Sequence, residues 1–298
     1  MSAVDPNPRH VSVMPVEVLT WLDPQPDQTV VDCTAGVGGH SRLIAARGAR
    51  VVAIDQDAAM IEVARAQTAG LPITFVHAGF DDIAGVLRDL RIGAVDGVLA
   101  DLGICSDQLD DAARGFSFTR DGPLDMRLDP TVGESAADLL RRLPERDLAD
   151  LIYEFGEERF SRRIARRIVE ARGERPLETT AQLAELVRRC VPKPKGRGGI
   201  DPATRTFQAL RIAVNDELGA LDRLLAGLPS IVKPGGRAVI ISFHSLEDRR
   251  VKRAFRDGDA WQVLTKKVVT AGDDEVQTNP RARSAKLRAA QRIGEPHA

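Results

Sequence analysis

The stretch Thr29-Val-Val-Asp-Cys-Thr-Ala-Gly-Val-Gly-Gly-His40, followed by Arg50-Val-Val-Ala-Ile-Asp55, constrains the fold more than any other part of the chain. Val30 and Val31 form a short apolar run, Gly36, Gly38 and Gly39 make a turn, and Ser41 to Arg47 has helical composition. The segment therefore reads as strand, glycine-rich turn and helix. Glycines at that turn let a ligand approach the strand end and the start of the helix. The second strand, Val51 to Ile54, stops at Asp55. An acid about 20 residues beyond such a turn accepts both hydroxyls of a ribose. An ordinary tight β–α turn accounts for the glycines, but not for paired acids, Asp32 and Asp55, on successive strand ends.

The order of the glycines decides which nucleoside is expected. A dinucleotide site reads G-x-G-x-x-G, so that a pyrophosphate can sit on the helix end. Here the order is Asp-x-Thr-x-Gly-x-Gly-Gly. Asp32, at the end of the first strand, repels a pyrophosphate and suits an amino group or a sulfonium, so S-adenosylmethionine fits better than a nicotinamide dinucleotide.

Further strands are expected at Ile73–His77 and Asp96–Asp101, with a helix-like segment from Asp82 to Leu90 between them. This alternation predicts a parallel sheet with right-handed crossovers. Asp101 ends the fourth strand at the carboxyl edge, where ligands bind in such sheets, and is expected to face cofactor or substrate. From about Ala112 to Leu210 the pattern changes to loops and amphipathic helices, before Pro234-Gly-Gly supplies a turn and Arg237–Ser242 a buried strand. The expected fold is α/β, a Rossmann-like cofactor-binding sheet (1–111 and 212–298) interrupted by an inserted all-helical domain (112–211). Gly115 and Gly122 are expected to bracket a flexible segment of that insert, and Lys193–Gly199 reads as a mobile loop on it.

With 298 residues, 43% hydrophobic content and a net charge of -1, the chain is expected to bury a large core and to stay in the cytoplasm. It has no apolar run of membrane-spanning length. Cys33, Cys105 and Cys190 are too far apart to suggest a disulfide framework or a zinc site, and no metal is expected. Cations are nonetheless clustered: Arg162, Arg163, Arg166 and Arg167, continued by Arg172 and Arg175; Lys193, Lys195 and Arg197; and Lys266 and Lys267 with a tail of Arg281, Arg283, Lys286, Arg288 and Arg292. Such clusters set the local potential whatever the net charge.

Longer motifs carry a resemblance. Asp101-Leu-Gly-Ile-Cys-Ser-Asp-Gln-Leu-Asp110, Arg114-Gly-Phe-Ser-Phe, Gly122-Pro-Leu-Asp-Met-Arg127, Phe155-Gly-Glu-Glu, Pro202-Ala-Thr-Arg-Thr-Phe-Gln-Ala-Leu-Arg211, Ser242-Phe-His-Ser-Leu-Glu-Asp248 and Asn279-Pro-Arg-Ala-Arg-Ser284 stand in this order. From about His10 to Arg292 the chain resembles the RsmH (MraW) family of bacterial 16S rRNA cytosine N4-methyltransferases. The resemblance implies methyl transfer from S-adenosylmethionine to the exocyclic amine of one cytosine in the decoding region, at the P site, of 16S rRNA. It implies the small ribosomal subunit as partner and no membrane. The family's cofactor contacts fall on Gly38, Gly39, His40, Asp55, Phe80, Asp101 and Gln108. Two positions depart from the family: Cys105 stands where it usually has Ser, and Asp201, an anion beside the expected RNA surface, where it usually has His.

A cytosine amine is conjugated with its ring, so an acceptor must hold its protons while the nitrogen is drawn out of plane. Asp101 is the first candidate for that catalytic role, and His244 the second, as proton acceptor or as a contact to base or phosphate. A His at a strand end is by default a structural hydrogen-bonder. Lys193, Lys195, Arg197 and Arg205 are the candidate RNA contacts, expected to contribute salt-sensitive, sequence-independent affinity. Two other functions remain open at this point: methylation of another RNA or a protein, and a non-catalytic RNA-binding role in ribosome assembly.

Overall fold

Alternation of apolar side chains along the strands builds two cores, one on each face of a single sheet. Residues 11–192 and 201–294 are described in a computed structural model of the chain. They form two compact units, one running to Gly103 and resuming at Leu218, the other Ile104–Glu217.

The first unit holds the strands β1 (Thr29–Asp32), β2 (Arg50–Asp55), β3 (Ile73–His77), β4 (Val95–Asp101), β5 (Val232–Ser242), β6 (Trp261–Val263) and β7 (Lys286–Arg292). Their order in the sheet is β3-β2-β1-β4-β5-β7-β6. Strands β1 to β5 pair in parallel, and β7 runs antiparallel to both β5 and β6. Val31, Val52, Ile54, Val98, Ala100 and Ile240 face one core, and Val30, Val51, Ala53, Leu99, Val239 and Ile241 the other. Helices α1 (Pro15–Leu22), α2 (Gly39–Ala45) and α3 (Ala58–Gln67) cover the second face through Val18, Leu22, Ile44 and Ile61. The first face is covered by α4 (Ile83–Asp89) through Ile83 and Val86, and by two later helices introduced below. This is a Rossmann-like sheet, with its strand order reversing between β1 and β4.

The second unit contains α5 (Ser106–Asp110), α6 (Ala136–Arg142), α7 (Glu145–Gly156), α8 (Ser161–Glu174), α9 (Thr180–Cys190) and α10 (Ala203–Val214). Its own core includes Leu124, Met126, Leu140, Leu148, Ile152, Ile164, Ile168, Leu183, Val187 and Phe207. The chain returns to the sheet through α11 (Glu217–Ile231), continues after β5 with α12 (Ser245–Asp257), and has a last short helix, α13 (Asp273–Thr278), before β7. Leu221, Leu224 and Leu228 of α11 and Val251 and Phe255 of α12 complete the first face of the sheet. Among the described residues no helix is long and apolar enough to cross a membrane.

Three sequence expectations change. The sheet is mixed, not purely parallel, because Lys286–Arg292, read as part of a basic tail, is a sheet strand between β5 and β6. Its polar residues hid it: Arg288 is paired with Asp248 at 2.6 Å and Arg292 donates to the Pro229 carbonyl at 3.0 Å. Pro234-Gly-Gly lies inside β5, where a register shift against β4 between Val95 and Gly97 absorbs it, with Gly235 at φ +80°. Gly115 and Gly122 serve close backbone packing. A β-carbon on Gly122 would stand 1.9 Å from the Ala112 carbonyl oxygen, and one on Gly115 2.2 Å from that of Pro123. Between these glycines Phe116 is buried and Phe118 meets Phe207 edge-on at 4.8 Å.

Candidate functional site

The carboxyl ends of β1, β2 and β4 each carry an aspartate, and the glycine turn is wired to all three strands. Asp32 is fully buried and accepts from the Ser41 hydroxyl at 2.6 Å and the Thr34 N–H at 3.2 Å. Thr34 in turn accepts the Asp101 N–H at 2.7 Å, tying the end of β1 to that of β4. Asp55 accepts the Gly36 N–H at 2.7 Å and the Asp57 N–H at 2.9 Å, so it clasps the turn to the end of β2. Gly38 has φ +86°, a conformation that favours glycine, and a β-carbon there would lie 3.1 Å from the Thr68 methyl carbon. These contacts explain the order of the motif locally: the acids set the turn and the glycines fit it.

Burial has electrostatic consequences at each acid. It pushes the Asp32 carboxyl above its usual range, against the opposing pull of the His40 charge and the Ser41 hydrogen bond. It likewise pushes Asp55 up to about 6, although the Asp57 and Gly36 N–H groups favour its ionised form. For His40 burial favours the neutral ring, but Asp101, with Asp32 and Glu275, outweighs it and raises the imidazole above its ordinary value. The His40 Nε2 lies 3.5 Å from Asp101 Oδ2. Asp101 Oδ1 and His40 Nδ1 are buried without a hydrogen-bond partner among the described residues.

These donors and acceptors match S-adenosylmethionine. A buried unpartnered carboxylate oxygen wants a donor and a buried unpartnered imidazole nitrogen wants a partner. S-adenosylmethionine offers the imidazole nitrogen a partner in its carboxylate and the excess of buried acids suits its positive sulfur, while the Asp101 oxygen stays open to a donor from the second reactant. The residues fit the cofactor, with Asp55 free to accept further bonds on each oxygen's second lone pair.

Other expected positions fall as follows. Phe80 begins a 3₁₀ turn, Phe80–Asp82, after β3 and packs half-buried against the first core. His244 follows β5 immediately before α12, with Nε2 3.2 Å from Glu247 Oε1. The other Glu247 oxygen accepts the N–H groups of Phe243, at 2.8 Å, and His244, at 3.3 Å. His244 is thus seated on a buried capping carboxylate that sequence reasoning passed over. The His-x-x-Glu spacing from His244 to Glu247 at the helix start was the available signal.

Gln108 belongs to the helical unit, where it is buried and accepts the Cys105 N–H at 3.0 Å at the start of α5. Arg205 is about half exposed, 3.9 Å from Glu158, and donates to the Glu157 carbonyl at 3.3 Å. Gly156 permits this packing, since a β-carbon there would lie 2.5 Å from the Arg205 carbonyl oxygen. Asp201 is bound by Arg188 at 2.9 Å and accepts the Ala203 N–H, and these bonds hold its carboxyl below the usual range against the effect of burial. Arg188 also lies over the Phe118 ring. The anion at this departure from the family is therefore matched by a cation within its own unit. Lys193, Lys195 and Arg197 lie outside the described residues.

A basic face that sequence reading missed runs along α12: Arg249, Lys252, Arg253 and Arg256 are exposed at helical spacing. The alternation with Glu247, Asp248 and Asp257 masked it in the linear sequence.

The ribosomal RNA small subunit methyltransferase H of Sorangium cellulosum is 54% identical over 97% of this chain and 93% of its own. The protein of the same name from Deinococcus deserti is 52% identical over 95% of this chain and 93% of its own. A solved rRNA methylase from Streptococcus thermophilus aligns over 94% of both chains with 8% identity and a TM-score of 0.44. The family model described as the MraW methylase family matches residues 7–293, nearly the whole length, and the chain belongs to that family.

Proposed function

We propose that this protein methylates the N4 amine of one cytosine in the decoding region, at the P site, of 16S rRNA. At the coarser level it is an S-adenosylmethionine-dependent rRNA methyltransferase, in keeping with its family and with relatives named for small-subunit rRNA. The observation that carries the finer reading is Asp101: an acid at the end of β4 with one buried oxygen unengaged, beside the glycine turn. An exocyclic amine with two N–H groups is a suitable partner for such an acceptor.

When bound, S-adenosylmethionine supplies a methyl group made electrophilic by its sulfonium sulfur. Gly38, Gly39 and His40 would line it, Asp55 would accept its ribose hydroxyls, Phe80 would pack on its adenine, and Gln108 and Asp101 complete the proposed set. Asp101 accepts an N–H of the target amine, which localises the nitrogen lone pair and fixes its approach; positioning of this kind supplies much of the rate. His244 is proposed as the second group toward the base, oriented by Glu247. The base must leave its stack to reach a buried methyl donor.

The proposed division of labour gives cofactor binding and transfer to 1–111 with 212–298, and substrate recognition to 112–211. Lys193, Lys195, Arg197 and Arg205 would contact RNA phosphates, and the α12 face adds further cations. The test is transfer of labelled methyl from S-adenosylmethionine to unmethylated small subunits and to naked 16S rRNA, with nucleoside analysis. N4-methylcytidine at a single site is the expected product. Label at another atom, or none in either RNA despite cofactor binding, refutes the reading.

A further inference from the structure

His40 is placed among carboxylates from three elements other than its own. Asp101 ends β4, Asp32 ends β1 and Glu275 lies on α13, while His40 sits in the first turn of α2 with 5% of its surface exposed. Two of these acids are engaged elsewhere. Asp32 accepts from Ser41 and Thr34, and Glu275 accepts the Met14 N–H at 2.7 Å. Asp101 alone of the three offers His40 one oxygen, Oδ2 at 3.5 Å, and keeps the other buried and unpartnered. Ions at such separations inside a protein interact far more strongly than in water, so a ring set among acids takes the charged form. The upward shift of the His40 imidazole, against the effect of its burial, agrees with this placement.

We propose that His40 is a positioning residue for methyl transfer: as an imidazolium it holds Asp101 through Oδ2 and reserves Oδ1 for the proton of the acceptor amine. The inference rests on the N4-methylation reading. In the transfer the N4 lone pair forms the bond to the methyl carbon as the carbon–sulfur bond breaks, and both electrons of that bond stay on sulfur, which becomes a neutral thioether. The nitrogen then carries the positive charge and releases one proton to Asp101 Oδ1. His40 keeps its own proton throughout, and Asp101 passes the acquired proton to water as product leaves.

The sign of the pH dependence follows. The charged ring is present below its folded pKa and lost as pH rises through it, so the rate of transfer falls on the alkaline side of a midpoint above the ordinary 6.5. Asp32, Asp101 and Glu275 are the facing acids that set this midpoint.

The first arm of the test is NMR titration of the labelled imidazoles in the full chain, with His40 assigned by His40→Gln among the five histidines. The expected His40 midpoint lies above the free value, and Asp101→Asn moves it down by about one pH unit or more. A midpoint at or below the ordinary value, or one indifferent to Asp101→Asn, overturns the ion pair. The second arm is single-turnover methylation of small subunits across the same pH range. The wild-type rate is expected to fall about tenfold per pH unit beyond the midpoint. His40→Gln, assayed at saturating S-adenosylmethionine, is expected to be slower by about 10- to 100-fold at neutral pH and to lack this limb. A limb that persists in His40→Gln overturns the positioning role. Methylation at another atom, or none, defeats the N4 reading and the proton-acceptor role with it, whereas the NMR arm still decides whether the His40–Asp101 pair exists.

Discussion

Replacing Asp55 by Asn separates what this acid does for the ligand from what it costs the fold. Its carboxyl is raised from 3.8 to about 6 in the native protein, burial being the main cause. The native state therefore binds this proton more tightly than the unfolded chain, and the stability so gained is lost as pH rises through the interval between the two values. A tenfold difference in proton affinity between the two states is worth roughly 1.4 kcal/mol, so at about pH 4.5 the tighter binding contributes about 2 kcal/mol and at about pH 7.5 essentially none. Asn has no such titration. One of the two N–H groups now bonded to Asp55 meets an amide nitrogen in Asp55→Asn, an offset of about 1–3 kcal/mol that does not vary with pH. The unfolding free energy of Asp55→Asn minus that of the wild type is accordingly expected to rise by about 2 kcal/mol from about pH 4.5 to about pH 7.5. Titrations of Asp32 and His40 are common to both proteins and largely cancel. Urea unfolding without cofactor, followed by tryptophan fluorescence, measures this directly, because Trp21 and Trp261 both lie in the sheet unit. In the same variant, loss of charged hydrogen bonds to the ribose is expected to weaken S-adenosylhomocysteine binding about 100-fold at neutral pH. A stability difference that stays flat with pH would refute the burial argument, and unchanged affinity would refute the ribose assignment.

Four other outcomes are expected. Asp101→Ala should lose methyl transfer while RNA affinity changes little; undiminished single-turnover methylation would remove Asp101 from the mechanism. Replacing Lys193, Lys195 and Arg197 together by Ala should lower the salt dependence of RNA binding by about 2–3 in the log–log slope, and an unchanged slope would exclude them as phosphate contacts. Gly122→Ala should destabilise the helical unit by about 3 kcal/mol, read from thermal unfolding, because its β-carbon would stand 1.9 Å from the Ala112 carbonyl oxygen. Leu99→Ala should cost about 2–5 kcal/mol of sheet-unit stability, since Leu99 is fully buried in the core of the second sheet face.

Strands β1 to β4 were legible because each is a short, largely apolar run ending at a polar residue, and they fall where the run lengths place them. Strand β7 was not. Only Leu287, Ala289 and Ala290 of its seven residues are buried and apolar, and the cations Arg288 and Arg292 are satisfied by partners distant in sequence, Asp248 and the Pro229 carbonyl. Local pattern cannot report a pairing of that kind. The aspartates of the site were visible as strand-ending acids, whereas Thr34 and Glu247, which fix backbone groups around Asp101 and His244, look in sequence like any turn hydroxyl and any helix-starting acid. Gly115 and Gly122 mislead for a related reason: glycine marks freedom or close approach equally well, and only the positions of the Pro123 and Ala112 carbonyls tell which.

The energetics of the site give its acids a common purpose. Asp32 and Asp55 are both raised by burial, so each ionised form opposes folding at neutral pH. Their hydrogen bonds to the turn offset that cost in part, but a neutral residue that packed as well would fold more stably, so stability alone does not account for them. A ligand that brings a positive sulfur and two ribose hydroxyls relieves the strain where it arises. Ligand binding that is selective for the native state should then stabilise it by about 2.7 kcal/mol at 100 times the dissociation constant. Methyl transfer removes the charge on sulfur and leaves the hydroxyls. On the proposed reading the acids at the strand ends attract the methyl donor more than the spent thioether, while Asp55 would hold the ribose of both. That difference favours exchange of product for donor, and S-adenosylmethionine should raise the melting temperature more than S-adenosylhomocysteine at equal ligand concentration in a low-salt sample, where charge counts most. Equal shifts at all ionic strengths would mean that the acids shape the turn and do not sense the sulfonium.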